Sequence, residues 1–373
     1  MDFNPVLSQV SFSDFLEQVQ DGLFITDRER RIVYWNRAAE ELTGFMAAEV
    51  VGKCCTDILR HRSLFGESLC VDESCPVLRS METDIGGTVP QILLMNSSSG
   101  RPLPVSLSVG PLHSPEGGTI GAIALLRGMR DEYQQRKLAT EIQKRMITRT
   151  GFQRNGVRVD TLFVPVGDIG GDFIEAFFLD ERTLIATVAD ATGHGTSASL
   201  FTMVFKTLLH SSFAHSRTPG EVLGSINRGY METAGVDGYY LGACLVSIDL
   251  RARAGRYAAA GHPAGLVFAR NGDGYTLKEK LKVASLMVGV AEHAAYGEIE
   301  FGLGPGEILL LASDGLFEAP CGEGKLFGVE GIEEFFARDS GNRPLEDLLA
   351  EVRRRSTFFP LSDDLSAVLI APQ

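Results

Sequence analysis

Four aspartates after residue 150 stand at the ends of predicted strands, where their carboxylates could together bind cations. They are Asp172, Asp190, Asp314 and Asp363, with Asp364 as a neighbour that could take the place of Asp363. A single aspartate at such a position is usually a turn former. Four in one domain favour convergence on one cleft. Gathered carboxylates repel one another, each raised pKa unit costs ~1.4 kcal/mol, and divalent cations remove that cost.

Carboxylate oxygens point to a particular class of metal and of chemistry. Magnesium and manganese prefer oxygen ligands, whereas zinc prefers nitrogen and sulfur. Two such ions ~3.5–4 Å apart can hold a water, lower its pKa and clamp a phosphoryl group for in-line attack. No covalent nucleophile is then required, which agrees with the lack of a convincing Cys/His or Ser/His/Asp arrangement.

The elements that must position these acids are short strands joined by glycine-rich turns. An apolar run from Thr183 to Ala189 predicts a strand that ends at Asp190, the turn Gly193-His-Gly195 follows, and a helical pattern begins at about Thr196. Such a corner suits a bound cation or phosphate. Thr218-Pro219 opens a second helix, since proline is tolerated in the first turn. Further strands are predicted over residues 159–166, 173–179, 240–250, 256–260, 265–270, 308–312 and 365–370.

Length and composition fit a multidomain globular protein. The 373 residues suggest two or three domains, and the 44% hydrophobic and 22% charged content is ordinary. A net charge of −13 argues against a nucleic-acid partner, which would select a basic face. No apolar run approaches the ~20 residues that span a bilayer. The start of the chain does not resemble a signal peptide, and six cysteines are too few for a disulfide scaffold. We therefore expect a cytoplasmic protein without a membrane partner.

The first domain, residues 11–130, is predicted to be an antiparallel sheet with helices. Asn36 can cap a helix from Arg37 to Leu42 that stops at Gly44. A lead-in helix is expected over 12–19, and strands over 23–27, 31–35, 91–95, 103–109 and 119–126. Strong turn signals separate the last three strands.

Several motifs of this domain resemble those of PAS sensor domains. They are Asp21-Gly-Leu-Phe-Ile-Thr-Asp27, Ile32-Val-Tyr-Trp-Asn36-Arg-Ala-Ala-Glu40, Leu42-Thr-Gly44 and Val51-Gly-Lys53. The resemblance implies an antiparallel sheet with helices on one face, dimerisation, and a small ligand whose identity it does not give. No flavin-adduct cysteine motif and no haem-ligating histidine stands out.

Soft metal ligands are concentrated in a short window of the same domain. Cys54, Cys55, His61, Cys70 and Cys75 could hold zinc or an iron–sulfur cluster, or act as a redox pair. Cys54 and Cys55 are adjacent and no Cys-x-x-Cys occurs, so the spacing matches no ordinary zinc site. Incidental or buried thiols in a cytoplasmic protein are the alternative.

Residues 131–150 are predicted to form a helical linker. Leu138, Ala139, Ile142 and Met146 recur at helical spacing in an otherwise polar stretch, and such a narrow apolar stripe suits two helices side by side. The interpretation is a dimeric signalling helix between sensor and catalytic domain, with a solvated spacer as the alternative.

Five motifs of the last domain, residues 151–373, resemble the metal-dependent PPM (protein phosphatase 2C-like) phosphatases, in the same order along the chain. They are Val166-Gly-Asp-Ile-Gly-Gly-Asp-Phe173, Ala189-Asp-Ala-Thr-Gly-His-Gly195, Ala259-Ala-Gly-His-Pro263, Ala312-Ser-Asp-Gly-Leu-Phe-Glu318 and Ser362-Asp-Asp-Leu-Ser366. The similarity is greatest to the bacterial branch that dephosphorylates anti-sigma-factor antagonists. It implies an αββα sandwich of two antiparallel sheets flanked by helices, so that the whole chain is α+β.

The resemblance also assigns roles. It implies that Asp172, Asp190, Asp314 and Asp363 are catalytic and bind two Mn²⁺ or Mg²⁺ ions, and that the Ala191 carbonyl completes one coordination sphere. Asp364 is the neighbour that could bind metal instead of Asp363.

The sequence does not decide the roles of three residues near these motifs. Glu175 stands where many relatives have a second aspartate, which puts its part in the metal site in doubt. His194 and His262 could act as acids or phosphate ligands, or simply order their glycine-rich turns.

The combined interpretation is a metal-dependent protein-serine/threonine phosphatase regulated by a PAS domain. The expected substrate is a phosphorylated STAS-type anti-sigma-factor antagonist, and the expected assembly is a homodimer through the PAS domain and linker. A non-catalytic sensor–adaptor that keeps the phosphatase fold for protein binding is the alternative. A nucleotide cyclase is disfavoured, since Gly-Gly-Asp-Phe lacks the second adjacent acid that this activity needs.

Overall fold

A computed structural model of the chain forms two compact units, residues 1–135 and 136–373, which are described separately. It describes residues 11–64, 66–71, 74–83, 90–147, 151–193, 195–216, 218–235, 238–322, 324–338, 343–356 and 363–373, without the side chains of residues 132 and 136. Within these ranges no helix is both long and apolar enough to cross a bilayer. The division falls inside helix α6, Arg130–Met146, which covers most of the predicted linker.

The first unit is a five-stranded antiparallel sheet with short helices, in the order β2-β1-β5-β4-β3. Its strands are β1 Gly22–Asp27, β2 Ile32–Trp35, β3 Gln91–Asn96, β4 Pro102–His113 and β5 Thr119–Gly128. Its helices are α1 Phe12–Glu17, α2 Arg37–Thr43, α3 Ala47–Val50, α4 Cys55–Leu59 and α5 Pro76–Thr83. Alternate residues of β4, such as Val105, Leu107 and Val109, are buried against the helices, as the period of two requires.

Asn36 organises the entry to α2 as predicted. Its Oδ1 accepts hydrogen bonds from Ala39 N at 2.9 Å and from Leu23 N at 2.8 Å, so one side chain caps the helix and ties it to β1. Gly44 ends the helix in the left-handed conformation, with φ of 77°.

The second unit is an αββα sandwich, as expected from the PPM resemblance. One sheet has the order β14-β11-β10-β9-β8 and the other β13-β12-β15-β18-β7-β6. The strands are β6 Phe152–Arg154, β7 Val157–Val164, β8 Asp172–Phe178, β9 Thr183–Ala191, β10 Leu241–Asp249, β11 Ala254–Ala260, β12 Gly265–Asn271, β13 Gly274–Leu281, β14 Glu298–Gly302, β15 Glu307–Ala312, β16 Pro320–Cys321, β17 Lys325–Leu326 and β18 Leu365–Pro372. The helices are α7 Thr196–Ser212, α8 Pro219–Ala234, α9 Asp314–Phe317, α10 Gly328–Phe336 and α11 Pro344–Arg355.

Apolar residues fill the space between the sheets and under the helices on both sides. Phe205 of α7 and Ile226 of α8 are fully buried with the first sheet, and Phe336 of α10 and Leu348 of α11 with the second. Each such side chain stabilises the fold by about 1.5–3 kcal/mol relative to an exposed one. The sandwich therefore gives a rigid platform, and the strand ends carry the acids.

Candidate metal centre

The register of the strands brings the four predicted aspartates toward one end of the sandwich. Asp172 begins β8 and lies opposite Asp190 near the end of β9. In the other sheet, Asp314 follows β15, and Asp363 precedes β18, the neighbour of β15. Asp172 and Asp190 thus belong to the strand ends themselves, Asp314 begins α9, and Asp363 lies two residues before β18.

Asp172 and Asp190 both ionise less readily than free aspartates. Asp172 is 1% exposed. Burial first, and then the charge of Asp190, raise its pKa well above the usual range. Burial, followed by the charges of Asp314 and Asp363, raises the pKa of Asp190 to about 7. This pair needs a positive charge to be stably ionised.

The other two acids interact in the same way. Burial raises the pKa of Asp314, and the charges of Asp363 and Glu318 raise it further. Glu318 is an acid of the site that the sequence reasoning did not single out. Its position one helical turn after Asp314 is the signal that could have identified it, because residues four apart share a helix face. Asp363 is exposed, and its Oδ1 accepts a hydrogen bond from Asp364 N at 2.8 Å.

Asp364 has a different environment from Asp363. It is 3% exposed. Its Oδ1 accepts a hydrogen bond from Val166 N at 2.7 Å, and its Oδ2 from Gly171 N at 2.5 Å and Asp172 N at 3.4 Å. Backbone amides thus engage both oxygens and oppose the rise in pKa that burial causes. This carboxylate fastens the loop that leads into β8, which favours Asp363 over Asp364 as a metal ligand.

The Ala191 carbonyl lies in a narrow gap at the end of β9. A Cβ built on Gly171 would lie 3.0 Å from Gly193 O and 3.2 Å from Ala191 O. Ala191 N also donates a hydrogen bond to Gly171 O at 3.3 Å. A side chain at position 171 would therefore crowd these two carbonyl oxygens.

Glu175, whose role in the metal site was left open, forms contacts with two side chains of α7. Its Oε1 accepts a hydrogen bond from Lys206 Nζ at 2.6 Å, and its Oε2 lies 3.0 Å from His210 Nε2. Both partners belong to α7, so this buried carboxylate holds α7 on β8. These contacts argue against a role for Glu175 as a metal ligand.

Of the two histidines with open roles, His194 and His262, the structure describes one. His194 lies outside the described residues. His262 is neutral at physiological pH, because burial lowers its pKa to about 4, and its Nδ1 lies 3.1 Å from Pro263 O. Its Nε2 is buried and has no hydrogen-bond partner among the described residues, so both alternatives for His262 stay predictions.

The residues present fit divalent cations by their donor chemistry. Asp172 Oδ2 and Asp314 Oδ1 are buried and have no hydrogen-bond partner in the part of the chain that the structure describes. Within the same ranges, no three acidic, cysteine or histidine side chains gather tightly enough to hold one ion unaided. Magnesium usually keeps several waters and takes only one or two carboxylates, so a dispersed set of acids suits it.

Helix α6 touches the loop that carries Asp172. Gln143 Nε2 donates a hydrogen bond to Gly170 O at 2.7 Å, and Gln143 Oε1 accepts one from Gly170 N at 3.2 Å. Lys206 Nζ also donates to the carbonyl of Met146, the last residue of α6, at 2.6 Å. The end of α6 is therefore anchored both to the loop and to α7.

Comparison with known families assigns both parts of the chain. Residues 180–373 match the family of stage II sporulation protein E (SpoIIE), and residues 16–134 match the PAS fold. The sensor-type resemblance of the first domain is confirmed, as is the phosphatase-type resemblance of the second.

Two curated relatives come from Bacillus subtilis (strain 168). Phosphoserine phosphatase RsbU is 22% identical over 202 residues, which are 54% of this chain and 59% of RsbU. Phosphoserine phosphatase RsbP is 24% identical over 241 residues, which are 63% of this chain and 57% of RsbP. The chain thus spans less than two thirds of the length of either relative.

Two solved structures share the fold. The SiaA-PP2C domain of Pseudomonas aeruginosa superposes with a TM-score of 0.54 at 22% identity, covering 65% of this chain and 97% of that one. The PP2C phosphatase domain of SpoIIE from Bacillus subtilis, with a fragment of its regulatory domain, gives 0.50 at 18% identity, covering 71% of each chain. At such identities the likeness establishes the PP2C fold.

Proposed function

The chain belongs to the SpoIIE family, and from that membership we propose that it is a metal-dependent protein-serine/threonine phosphatase regulated by its PAS domain. The observation that carries the proposal is the pair of buried carboxylate oxygens, on Asp172 and Asp314, that lack a partner among the described residues. An adaptor would not need to keep mutually repelling acids at the strand ends, because they destabilise the fold unless a cation binds.

The residues that would hold two Mn²⁺ or Mg²⁺ ions are Asp172, Asp190, Asp314, Asp363 and the Ala191 carbonyl. When bound, such ions supply an activated water and charge neutralisation for phosphoryl transfer. Asp190, which senses the charges of Asp314 and Asp363 and pairs with Asp172, is central to the set. Asp364 positions Asp172 by accepting hydrogen bonds from the backbone amides of Gly171 and Asp172.

We propose phosphoserine or phosphothreonine on a STAS-type anti-sigma-factor antagonist as the substrate. This part rests on the resemblance to the sigma-factor-regulating branch, and on the description of RsbU and RsbP as phosphoserine phosphatases.

We propose that α6 transmits the state of the PAS domain to the metal centre. The two hydrogen bonds between Gln143 and Gly170 connect the helix to the loop that presents Asp172. A shift of the helix along its axis would break both, and would also remove the Met146 carbonyl from Lys206. The contact gives regulation a physical route that acts on ligand geometry.

The apolar stripe of α6 supports the proposed homodimer. Leu138 is 63% exposed and Ile142 is 43% exposed. A second copy of the same helix would cover both in a parallel pair, as the narrow stripe favours.

Manganese-dependent hydrolysis tests the phosphatase proposal. The purified protein should hydrolyse p-nitrophenyl phosphate in Mn²⁺, should lose that activity in EDTA, and should release phosphate from a phosphoserine-bearing STAS protein. Equal rates for the wild-type protein and Asp190→Asn would contradict the proposed role of Asp190 in metal-dependent hydrolysis. Hydrolysis of the small ester without release from any phosphorylated STAS protein would overturn the substrate alone.

A further inference from the structure

A cleft in the first unit lies where three structural elements meet. The end of α2, the turn between β3 and β4 and the first turn of α6 border it, and it encloses about 520 Å³. Small-molecule sites in proteins commonly measure roughly 300–1,000 Å³. The cleft is separate from the space between the sheet and the helices, which is packed with apolar side chains such as Phe24 and Leu107. It therefore has the size of a ligand site and lies outside the core of the unit.

Two arginines give this cleft a positive charge. Arg101 lies just before β4, and Arg130 is the first residue of α6. Across the described residues, neither guanidinium forms an ion pair or a hydrogen bond. Glu41 is the one acid among the described residues that line the cleft, and it is paired with Arg37 Nε at 2.8 Å. The cleft thus holds two uncompensated positive charges in a chain whose net charge is −13.

Arg130 stands at the end of α6 where a cation is least favourable. The N-terminus of a helix carries the positive end of its macrodipole, and arginine is favoured at the C-terminus instead. Met129 N donates a hydrogen bond to Pro104 O at 3.0 Å, which holds the start of this 17-residue helix at the cleft. An anion in the cleft would interact favourably with both the guanidinium and the helix start. The position of Arg130 therefore favours anion binding over helix stability.

A serine hydroxyl adds a third donor to the cleft. Ser98 N donates a hydrogen bond to Thr43 O at 2.9 Å, so the turn between β3 and β4 is fastened to the end of α2. Gly44 has a φ of 77°, and a Cβ built on it would collide with Ser98 Oγ. That Oγ has no hydrogen-bond partner in the part of the chain that the structure describes. The backbone thus fixes the position of Ser98, and its hydroxyl remains available to a ligand.

We propose that this cleft binds a small molecule through a phosphate group, with Arg101, Arg130 and Ser98 as the donors. Guanidinium groups are always charged and pair with phosphate through two parallel N–H···O bonds. A phosphate monoester has three terminal oxygens and can accept from all three side chains at once, whereas a carboxylate has two. Leu103 and Pro104, which also line the cleft, leave an apolar surface for the rest of the molecule. The bound molecule would bridge α2, β4 and the start of α6.

Calorimetric titration of the full-length protein in EDTA tests the proposal. The probes are inorganic phosphate and glycerol 3-phosphate, with succinate as a dicarboxylate of similar charge. The protein carries Asp190→Asn, so that the metal centre does not contribute to binding. We expect both phosphate compounds to bind at a single site per chain, and succinate to bind about tenfold more weakly or less. No binding of either phosphate compound would overturn the site. Succinate binding as tight as that of glycerol 3-phosphate would overturn the assignment to phosphate.

Matched variants locate the binding. Arg101→Gln and Arg130→Gln should each weaken the binding of glycerol 3-phosphate about tenfold or more. Arg79→Gln removes an exposed arginine of α5 outside the cleft and should bind as before. Circular dichroism melting checks that each variant is folded. Unchanged affinity in either folded cleft variant, or an equal loss in Arg79→Gln, would contradict the proposal. Titration in EDTA needs neither metal nor hydrolysis, so failure of this proposal leaves the proposed function intact.

Discussion

The first unit buries thiols and the second buries carboxylates, and burial leaves these two kinds of acid in different charge states. Buried thiols stay neutral, since burial raises the pKa of Cys55 and Cys70 further above physiological pH. Asp190 remains partly ionised near neutral pH, because its pKa rises only to about 7. The buried thiols are therefore tolerable without a cation, whereas the carboxylate group stores repulsion that a cation would relieve. The free energy that a buried group of acids costs without a cation therefore depends on the ordinary pKa of those acids.

The largest expected effect is the loss of hydrolysis in Asp190→Asn. Removal of the central ligand should cost several kcal/mol of transition-state stabilisation, or about a thousandfold in rate. The measurement is manganese-dependent hydrolysis of p-nitrophenyl phosphate. Asp273→Asn, an exposed aspartate in the turn between β12 and β13, is the control and should be unaffected. A fall of similar size in both variants would point to a general loss of folding.

The stability of the metal-free protein should depend on pH in the second unit and much less in the first. Between about pH 4 and 7, folded Asp190 keeps a proton that its unfolded form has released, so stability should fall as pH rises through this window and level off above it. The decrease expected from Asp190 is on the order of 4 kcal/mol for amides of β9, measured by hydrogen exchange in EDTA. The stability reported by amides of β1, in the first unit, should change little with pH, because free thiols titrate near 8.5 and above.

The same experiment in Asp190→Asn and in Mn²⁺ sharpens the comparison. Either change should flatten the pH dependence of the stability measured at β9, since each removes the repulsion between the aspartates. A β9 stability that rises with pH in the metal-free wild-type protein would show that the carboxylates do not repel as described.

Gly171→Ala should weaken metal binding by about 10–100-fold, as outer-shell changes do. The added Cβ would lie 3.0 Å from Gly193 O and 3.2 Å from Ala191 O, which must then move. The Mn²⁺ concentration that gives half-maximal hydrolysis reports the change. Gly167→Ala in the same loop is the control, because its Cβ would meet only Ile169 O at 3.9 Å. Equal effects at both positions would argue that the loop as a whole, and not the gap beside Asp172, is sensitive.

The smallest effect is expected for Gln143→Ala in α6. The loss of its two hydrogen bonds to Gly170 should cost about 1 kcal/mol, or about fivefold in kcat, with substrate KM little changed. Gln135→Ala, exposed on the same helix, should behave as the wild type. An unchanged rate in Gln143→Ala would contradict the proposed coupling between α6 and the loop that carries Asp172.

Local patterns predicted the elements and the ends at which the acids stand. The Asn36 cap, the Thr218-Pro219 helix start and the alternation of the strands depend on neighbours in sequence, which the chain displays directly. Partners that are distant in sequence were not predictable. Gln143 and Gly170 are 27 residues apart, and Glu175 and Lys206 are 31 apart, so only the folded sandwich brings them together.

The adjacent pair Asp363 and Asp364 shows the same limit at closer range. Their types are identical, and the pattern offered no reason to choose between them. The fold separates them, because it buries Asp364 against three backbone amides and leaves Asp363 exposed. Which of the two carboxylates stays exposed is therefore a property of the sheet and not of the motif.

Calorimetric titration of the metal-free protein with Mn²⁺ at pH 7.5 tests the central claim most directly. The account predicts two ions bound per chain, with at least one lost in Asp190→Asn and both retained in Asp273→Asn. Binding that is equal in all three proteins, or no binding by the wild type, would contradict the assignment of the aspartates to a metal centre.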